Sequence, residues 1–316
     1  MPLREAIEHR YPHASERIAA LRESLIAACQ RYIDTGLGDR DAERRLCSID
    51  NSIYWQQLAE VLVAHQLELA GVRFFHPAEG PDFCVEHEGR RIWIEVITPT
   101  PANVPEAWLA PPGGDVRDFP HEAILLRWTA AIKEKAEKLL GNDRGQQGYL
   151  ASGVVAADDA YVIAISPRLL RGYEGAFDCI DGISQFPFAV EATFAIGPLQ
   201  VRFNRETLEA SVPERQRRML IPKPKGEAVP ADTFLDHRFT PVSAIWAIDA
   251  DEGTLLGKVP PSAIVHNPLA TNPVPTGLLP AQDEYVARIL DEDNYQLERI
   301  DCRLPPVEEM AATVER

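Results

Sequence analysis

The chain has 316 residues, of which 45% are hydrophobic and 25% are charged, and this composition excludes a wholly disordered protein. Its 32 basic and 48 acidic residues leave a formal net charge of −16, which excludes nonspecific coating of nucleic acid by long-range attraction. The length predicts one or two domains with a substantial core.

Apolar spacing predicts two helices in the first part of the chain. Over residues 15–32 apolar side chains recur at three- and four-residue steps, which is typical of one helix face. The same pattern covers residues 53–67, with an N-cap expected within residues 50–52 and a stop at Gly71. A short strand is predicted at residues 72–75.

A β-hairpin is predicted next. Residues 81–86 and 91–98 are two β-prone runs joined by a glycine-containing turn. The six prolines of residues 99–120 predict a loop over the surface. Helical spacing returns at residues 124–140, and the continuous apolar run 161–165 predicts a strand buried on both faces.

The second half of the sequence is proline-rich. Strands are expected at residues 188–196, 200–203 and 242–248, and the acidic tail after Ala281 is expected to be solvated and partly helical. Helices interleaved with strands predict an α/β class with a mixed-sheet core flanked by helices. The expected organisation is an N-terminal helical region (1–49), a core (50–170) and an elaboration that completes or flanks it (171–316).

The feature most suggestive of chemistry is an acid within an apolar strand. Glu95 lies in the run 92–97, and a carboxylate is costly to bury there unless it is paired or holds a metal. Strand alternation places Trp93, Glu95 and Ile97 on one face. Because Asp82 opens the other hairpin strand, the two acids can converge on a hard divalent cation, Mg²⁺ or Mn²⁺, suited to phosphodiester hydrolysis.

These segments resemble the PD-(D/E)xK nuclease superfamily, which has the restriction-endonuclease-like fold. The matching strings are Leu58-Ala-Glu60, Gly80-Pro-Asp82-Phe and Trp93-Ile-Glu95-Val, within roughly residues 50–165, about a third of the chain. The resemblance implies that Glu60 is the helix acid, Asp82 the principal metal ligand and Glu95 the second ligand. It also implies that the carbonyl of Val96 contacts the metal, and that the substrate is DNA or RNA.

The lysine of this motif is missing. Ile97 occupies its position, and a hydrocarbon can neither orient water nor neutralise developing charge. In some members of the superfamily a neighbouring helix supplies the lysine. The predicted helix 124–140 offers Lys135 as the first candidate and Arg127 as the second; its other lysines are Lys133 and Lys138. The alternative for all of them is the solvated face of an amphipathic helix.

Each acid also has a plain structural interpretation. Asp82 follows a proline, where a turn acid is common, and Glu95 is open to a structural ion pair with Arg90, Arg91 or a helix lysine. The second functional hypothesis is therefore a catalytically inactive nuclease-fold module that binds nucleic acid or protein. The third is a purely structural domain of a bacterial accessory or defence system, which only the resemblance suggests.

The sequence also bears on partners and location. A basic cluster is the densest positive stretch and is a candidate groove for nucleic acid, or a surface loop; it comprises Arg215, Arg217, Arg218, Lys223 and Lys225. The sequence leaves open whether the protein binds a protein partner or forms a homodimer. The charged amino-terminal segment, the absence of a long apolar run and five cysteines without metal or disulfide spacing favour a cytoplasmic protein with reduced thiols and no membrane association.

Overall fold

The computed structural model describes residues 2–12, 15–111, 118–172, 180–291 and 294–303. Within them are eight α-helices and twelve strands. The helices are α1 (Leu3–Arg10), α2 (Glu16–Asp34), α3 (Ala42–Leu46), α4 (Asn51–Leu69), α5 (Glu106–Leu109), α6 (His121–Leu140), α7 (Tyr149–Ser152) and α8 (Phe188–Thr193). The first four strands are β1 (Phe74–Phe75), β2 (Phe83–His87), β3 (Arg90–Ile97) and β4 (Ala160–Ile165). The later strands are β5 (Ile196–Gln200), β6 (Glu214–Arg217), β7 (Leu220–Ile221), β8 (Val229–Pro230), β9 (Ala244–Ile248), β10 (Ser262–His266), β11 (Asp283–Ile289) and β12 (Tyr295–Asp301).

A single mixed sheet organises the fold. Its eight strands lie in the order β1-β2-β3-β4-β9-β10-β11-β12. Strands β3, β4 and β9 are parallel, whereas β1-β2-β3 form an antiparallel meander. Strands from the first half and the last quarter of the chain thus share one sheet, and the predicted α/β class with a mixed sheet is confirmed.

Helices cover both faces of the sheet. On one face α6 and α8 pack on the strands, with Trp128 stacked on Phe188 at 6.1 Å between ring centroids. On the other face α2 and α4 pack through residues such as Leu25 and Leu58, in the same core as residues of α1 and α3. Because both faces are covered, every residue of β4 is buried, as predicted from its continuous apolar run.

Helix α4 begins where the sequence places its cap. The Asp50 side chain accepts hydrogen bonds from the backbone N–H of Ser52 at 2.7 Å and of Ile53 at 3.3 Å. The helix ends at Leu69, and Gly71 then has φ +69°, a conformation that favours glycine. The prediction of this helix is confirmed, as are those of α2 and α6.

We expect Asp50→Ala to lower the free energy of unfolding by about 1 kcal/mol, because two N–H groups of the first turn lose their acceptor. Urea denaturation measures the change. The matched control is Ser52→Ala, which removes a hydroxyl from the same turn but leaves both capping bonds. Equal stability of the Asp50 variant and the wild type would show that the cap contributes nothing.

Two of the three strands predicted between residues 188 and 248 are wrong or displaced. Residues 188–193 form α8 rather than a strand, because all six are buried and such a run has no periodicity to separate helix from strand. The strand expected at 200–203 ends at Gln200, and Phe203 forms only an isolated bridge with Ala210. The strand predicted at 242–248 is confirmed as β9.

The tail after Ala281 is also not helical where it is described. Residues 283–301 form the antiparallel strands β11 and β12 at one edge of the sheet, and the acidic side chains of the edge strand face solvent. Residues 304–316 lie outside the described part. The loop expected at 99–120 contains α5, whose Trp108 is buried and donates from Nε1 to the carbonyl of Leu170 at 2.9 Å.

Cys29, Cys47, Cys84 and Cys302 are free thiols, and Cys179 lies outside the described residues. In the described residues, no helix combines the length and the apolar character that a bilayer crossing requires.

Candidate functional site

The predicted acids meet where β3 extends beyond its partner β2. The last antiparallel pair joins Phe83 to Ile94, so Asp82 stands beside the open edge of β3. There its Oδ2 accepts a hydrogen bond from the N–H of Val96 at 2.6 Å. The N–H and C=O of one strand residue point to the same edge, so the Val96 carbonyl also faces this opening, where Gln56 Nε2 donates to it at 3.2 Å.

Glu95 is held by two lysines of α6. Its side chain is 3% exposed, and Oε1 accepts from Lys135 Nζ at 2.8 Å and from Lys138 Nζ at 2.7 Å. The lysines are three positions apart, so successive turns of the helix present both to the strand. The two arginines beside the hairpin turn do not take this role: Arg91 pairs with Asp159 at 2.9 Å.

Lys138 is the lysine that sequence reasoning did not select. Burial acts to lower its pKa, but the adjacent Glu95 carboxylate outweighs this effect and the pKa is raised. Its three-residue spacing from Lys135 was the feature of the sequence that could have identified it as a second partner of Glu95. The ammonium of Lys138 is thus held firmly in its charged form.

Glu60 reaches the same region from α4. Its Oε2 accepts from Gln57 Nε2 at 2.7 Å and from the Tyr32 hydroxyl at 3.0 Å. Burial raises the pKa of Glu60, and these two hydrogen bonds oppose the rise. The nearby Arg45 is paired with Asp39 at 2.7 Å. Tyr32 and Gln57 were not predicted, because no motif marks a neutral side chain that orients a carboxylate from another helix.

Acidic side chains outnumber the lysines in this cluster. The pKa of Asp82 is raised to about 8, by desolvation first and then by the carboxylates of Glu60 and Glu95, while Lys135 and the Val96 N–H oppose the rise. With Asp82 ionised, three carboxylates would face the two ammonium groups of Lys135 and Lys138. A site of this kind favours either a proton on Asp82 or an added cation.

The donor set fits a hard divalent cation. In the described part of the chain, no hydrogen bond engages Asp82 Oδ1 or Glu95 Oε2, and the Val96 carbonyl retains a second lone pair. No three His, Cys, Asp or Glu side chains of the described residues group closely enough to hold a metal alone. The candidate ligands are thus two carboxylates and a carbonyl, and Mg²⁺ is commonly bound by one or two carboxylates with water completing its shell.

Arg127 does not join this cluster. It precedes Lys135 by eight residues of α6, roughly 12 Å along the helix axis. Its Nη2 donates to Thr100 Oγ1 at 3.4 Å, and its buried Nε has no partner among the described residues. The structure therefore brings together Glu60, Asp82, Glu95, Val96 and Lys135, but not Arg127.

The basic cluster lies at the other end of α6. Arg218 donates to His121 Nδ1 at 3.2 Å, and Arg215 lies over the ring of Phe186 at 4.6 Å. His121 is the first residue of α6, roughly 20 Å along the axis from Lys135. Lys223 and Lys225 are exposed, and Arg217 belongs to β6. The cluster is thus a surface separate from the carboxylates.

No family model, no curated protein and no solved structure matches this chain. The likeness to the nuclease superfamily is confined to short motifs around Glu60, Asp82 and Glu95. The chemistry of the site follows from the contacts of these carboxylates.

Proposed function

We propose that the protein is a metal-dependent nuclease with a restriction-endonuclease-like core, which hydrolyses a phosphodiester of DNA or RNA. Asp82 and Glu95 hold Mg²⁺ or Mn²⁺, together with the carbonyl of Val96. The observation that carries the proposal is that Asp82 accepts from the N–H of Val96 at the open edge of β3, directly after Glu95, whose carboxylate lies 2.8 Å from Lys135.

Lys135 supplies the group that Ile97 lacks. The side chain of Ile97 shares a sheet face with Glu95, and its methyl groups pack in the core under α6. The Lys135 ammonium reaches Glu95 from α6 instead. A cation at this position is suited to orient water and to neutralise charge on the phosphoryl oxygens.

The cation, when bound, supplies a water of lowered pKa and polarises the scissile phosphate. Asp82 and Glu95 bind it, and Val96 contributes its backbone oxygen. Lys138 holds Glu95 in place while Lys135 faces the reacting groups. Glu60, which Tyr32 and Gln57 orient, is placed to accept a hydrogen bond from water at the edge of the site.

The second candidate function is an inactive nuclease-fold module that binds nucleic acid or protein. One observation favours it: a single oxygen of Glu95 already receives two ammonium groups. In that case Lys135 and Lys138 take the place of a metal ion beside Glu95, and the cluster is a buried ion-pair network.

Isothermal titration calorimetry with Mn²⁺ and Mg²⁺ separates the two candidates. We expect the wild type to bind the metal, and Asp82→Asn and Glu95→Gln each to abolish binding together with cleavage of DNA or RNA. Glu86→Gln, in the same hairpin but exposed, is the matched control and should bind and cleave as the wild type does.

Metal binding without cleavage of single- or double-stranded DNA or RNA would favour the inactive module. Failure of the folded wild type to bind either ion would refute the nuclease proposal. Circular dichroism of each variant shows whether a loss of binding reflects a loss of fold.

A further inference from the structure

An open depression lies beside the carboxylate site, on the outer side of β1. Its volume is about 340 Å³. Strand β1 and the residue after it form one wall, and the turn after α2 with the end of α4 forms the other. The lining residues are Thr35, Gly36, Leu37, Glu68, Phe74, Phe75 and His76.

The walls of this depression combine aromatic faces with one acid. Phe75 is 42% exposed, whereas Phe74 is anchored edge-on against Phe83 at 5.5 Å. Leu37 adds apolar surface across from them. Glu68, which lies 3.7 Å from Arg31, presents a hydrogen-bond acceptor and repels phosphate. A planar ring with N–H groups on its edge fits these walls, and a phosphate does not.

One wall of the depression contacts the backbone of Asp82. His76 Nδ1 is 2.9 Å from the carbonyl oxygen of Asp82, and Phe75 is paired with Cys84 on the strand that Asp82 precedes. A group seated on Phe75 therefore lies on the strand next to Cys84, two residues along the chain from Asp82. Tyr32, the donor to Glu60, is near the same turn after α2.

We infer that this depression binds a nucleobase of an unpaired stretch of nucleic acid, next to the phosphodiester held at the carboxylate site. The inference deepens the proposed nuclease function and rests on it. The base stacks on Phe75 and donates an exocyclic N–H to Glu68. A base in a duplex has that edge occupied by its partner, so the substrate is single-stranded or has an unpaired end.

Fluorescence anisotropy with a short labelled single-stranded oligonucleotide tests the inference, in EDTA and again in Mg²⁺ with a phosphorothioate strand that resists hydrolysis. Phe75→Ala is expected to weaken binding by about 5- to 100-fold, the usual size of one base–aromatic stack. Phe75→Tyr should retain the affinity. Ile289→Ala is the matched control, because this strand residue is 39% exposed on β11, toward the other edge of the sheet.

A strand with abasic sites identifies the occupant. The wild type should bind the abasic strand about as weakly as Phe75→Ala binds the intact strand. Phe75→Ala and the wild type should bind the abasic strand with equal affinity. Equal affinity of Phe75→Ala and wild type for the intact strand would overturn the inference. So would Phe75-dependent binding of a blunt duplex at equal strength, or binding of a nucleoside monophosphate as tight as that of the strand.

The test is independent of the metal site. Phe75-dependent binding with no metal binding or cleavage would refute the proposed nuclease and leave the base site standing. Metal-dependent cleavage that Phe75→Ala leaves unchanged, in both strand affinity and KM, would refute the base site and leave the nuclease standing.

Discussion

Replacing Asp82 by asparagine is expected to stabilise the metal-free protein at alkaline pH, by several kcal/mol, even though it removes a proposed metal ligand. The surrounding protein raises the pKa of Asp82 to about 8, through desolvation first and then the carboxylates of Glu60 and Glu95. Asparagine carries no charge, and its side-chain oxygen can still accept from the Val96 N–H.

The sign follows from proton linkage. An unfolded chain releases the Asp82 proton near the ordinary pKa of 3.8, whereas the folded protein retains it up to about 8. Between these two pKa values the folded state therefore binds more protons than the unfolded state. The contribution of Asp82 to stability is fully present below the unfolded pKa and is lost as pH rises toward the folded pKa. The stability advantage of Asp82→Asn should thus grow from about pH 4 to about pH 8.

Urea denaturation in EDTA at several pH values measures this difference. The control is Asp158→Asn, which neutralises an exposed aspartate and should not change the pH dependence. Addition of Mg²⁺ should stabilise the wild type at alkaline pH and leave Asp82→Asn unaffected. A constant stability difference across the whole pH range would contradict the raised pKa.

Lys135→Met is expected to lower the rate of phosphodiester cleavage by about 100-fold or more, because the developing charge loses its nearest ammonium. Stability should fall by only about 1–3 kcal/mol, less than is usual for breaking a buried pair, since Lys138 still binds the same oxygen of Glu95. Metal affinity should persist, because one fewer cation competes for that carboxylate.

Single-turnover cleavage at saturating Mg²⁺, together with urea denaturation, tests both parts. Lys133→Met is the control, an exposed lysine on the same helix whose one ion pair within the described part of the chain is with Glu137, at 3.7 Å. A wild-type cleavage rate for Lys135→Met would show that the lysine is only structural. Loss of metal binding in this variant would show instead that Lys135 holds Glu95 in position.

The local pattern of the sequence was sufficient to predict the helices and strands that carry the site. The N-cap at Asp50, the stripe of α4 and the stripe of α6 each predicted a helix that the structure contains. Alternation along the hairpin predicted that Asp82 stands beside Glu95. These features depend on residues that are close together in the sequence. The side-chain periodicities of helices and strands reveal such local features directly.

The choice among the basic side chains of α6 was settled only by tertiary structure. Helical spacing places Arg127 and Lys135 near one face, but the position of the helix along β3 decides which of them meets Glu95. That position is set by packing in the core, around residues such as Trp128. No local pattern encodes it, because it depends on side chains distant in sequence.

The sequence alone determined the class of fold, the helices and strands that bear the acids, and the need of a buried Glu95 for a positive partner. The tertiary structure decided which lysines supply it, that Tyr32 and Gln57 orient Glu60, and that 188–193 is helical while the described acidic tail is β-sheet. The spacing of apolar residues shows which face of a segment is buried. It cannot separate helix from strand where a segment is buried on all sides, and it cannot show pairing with a strand that is distant in sequence.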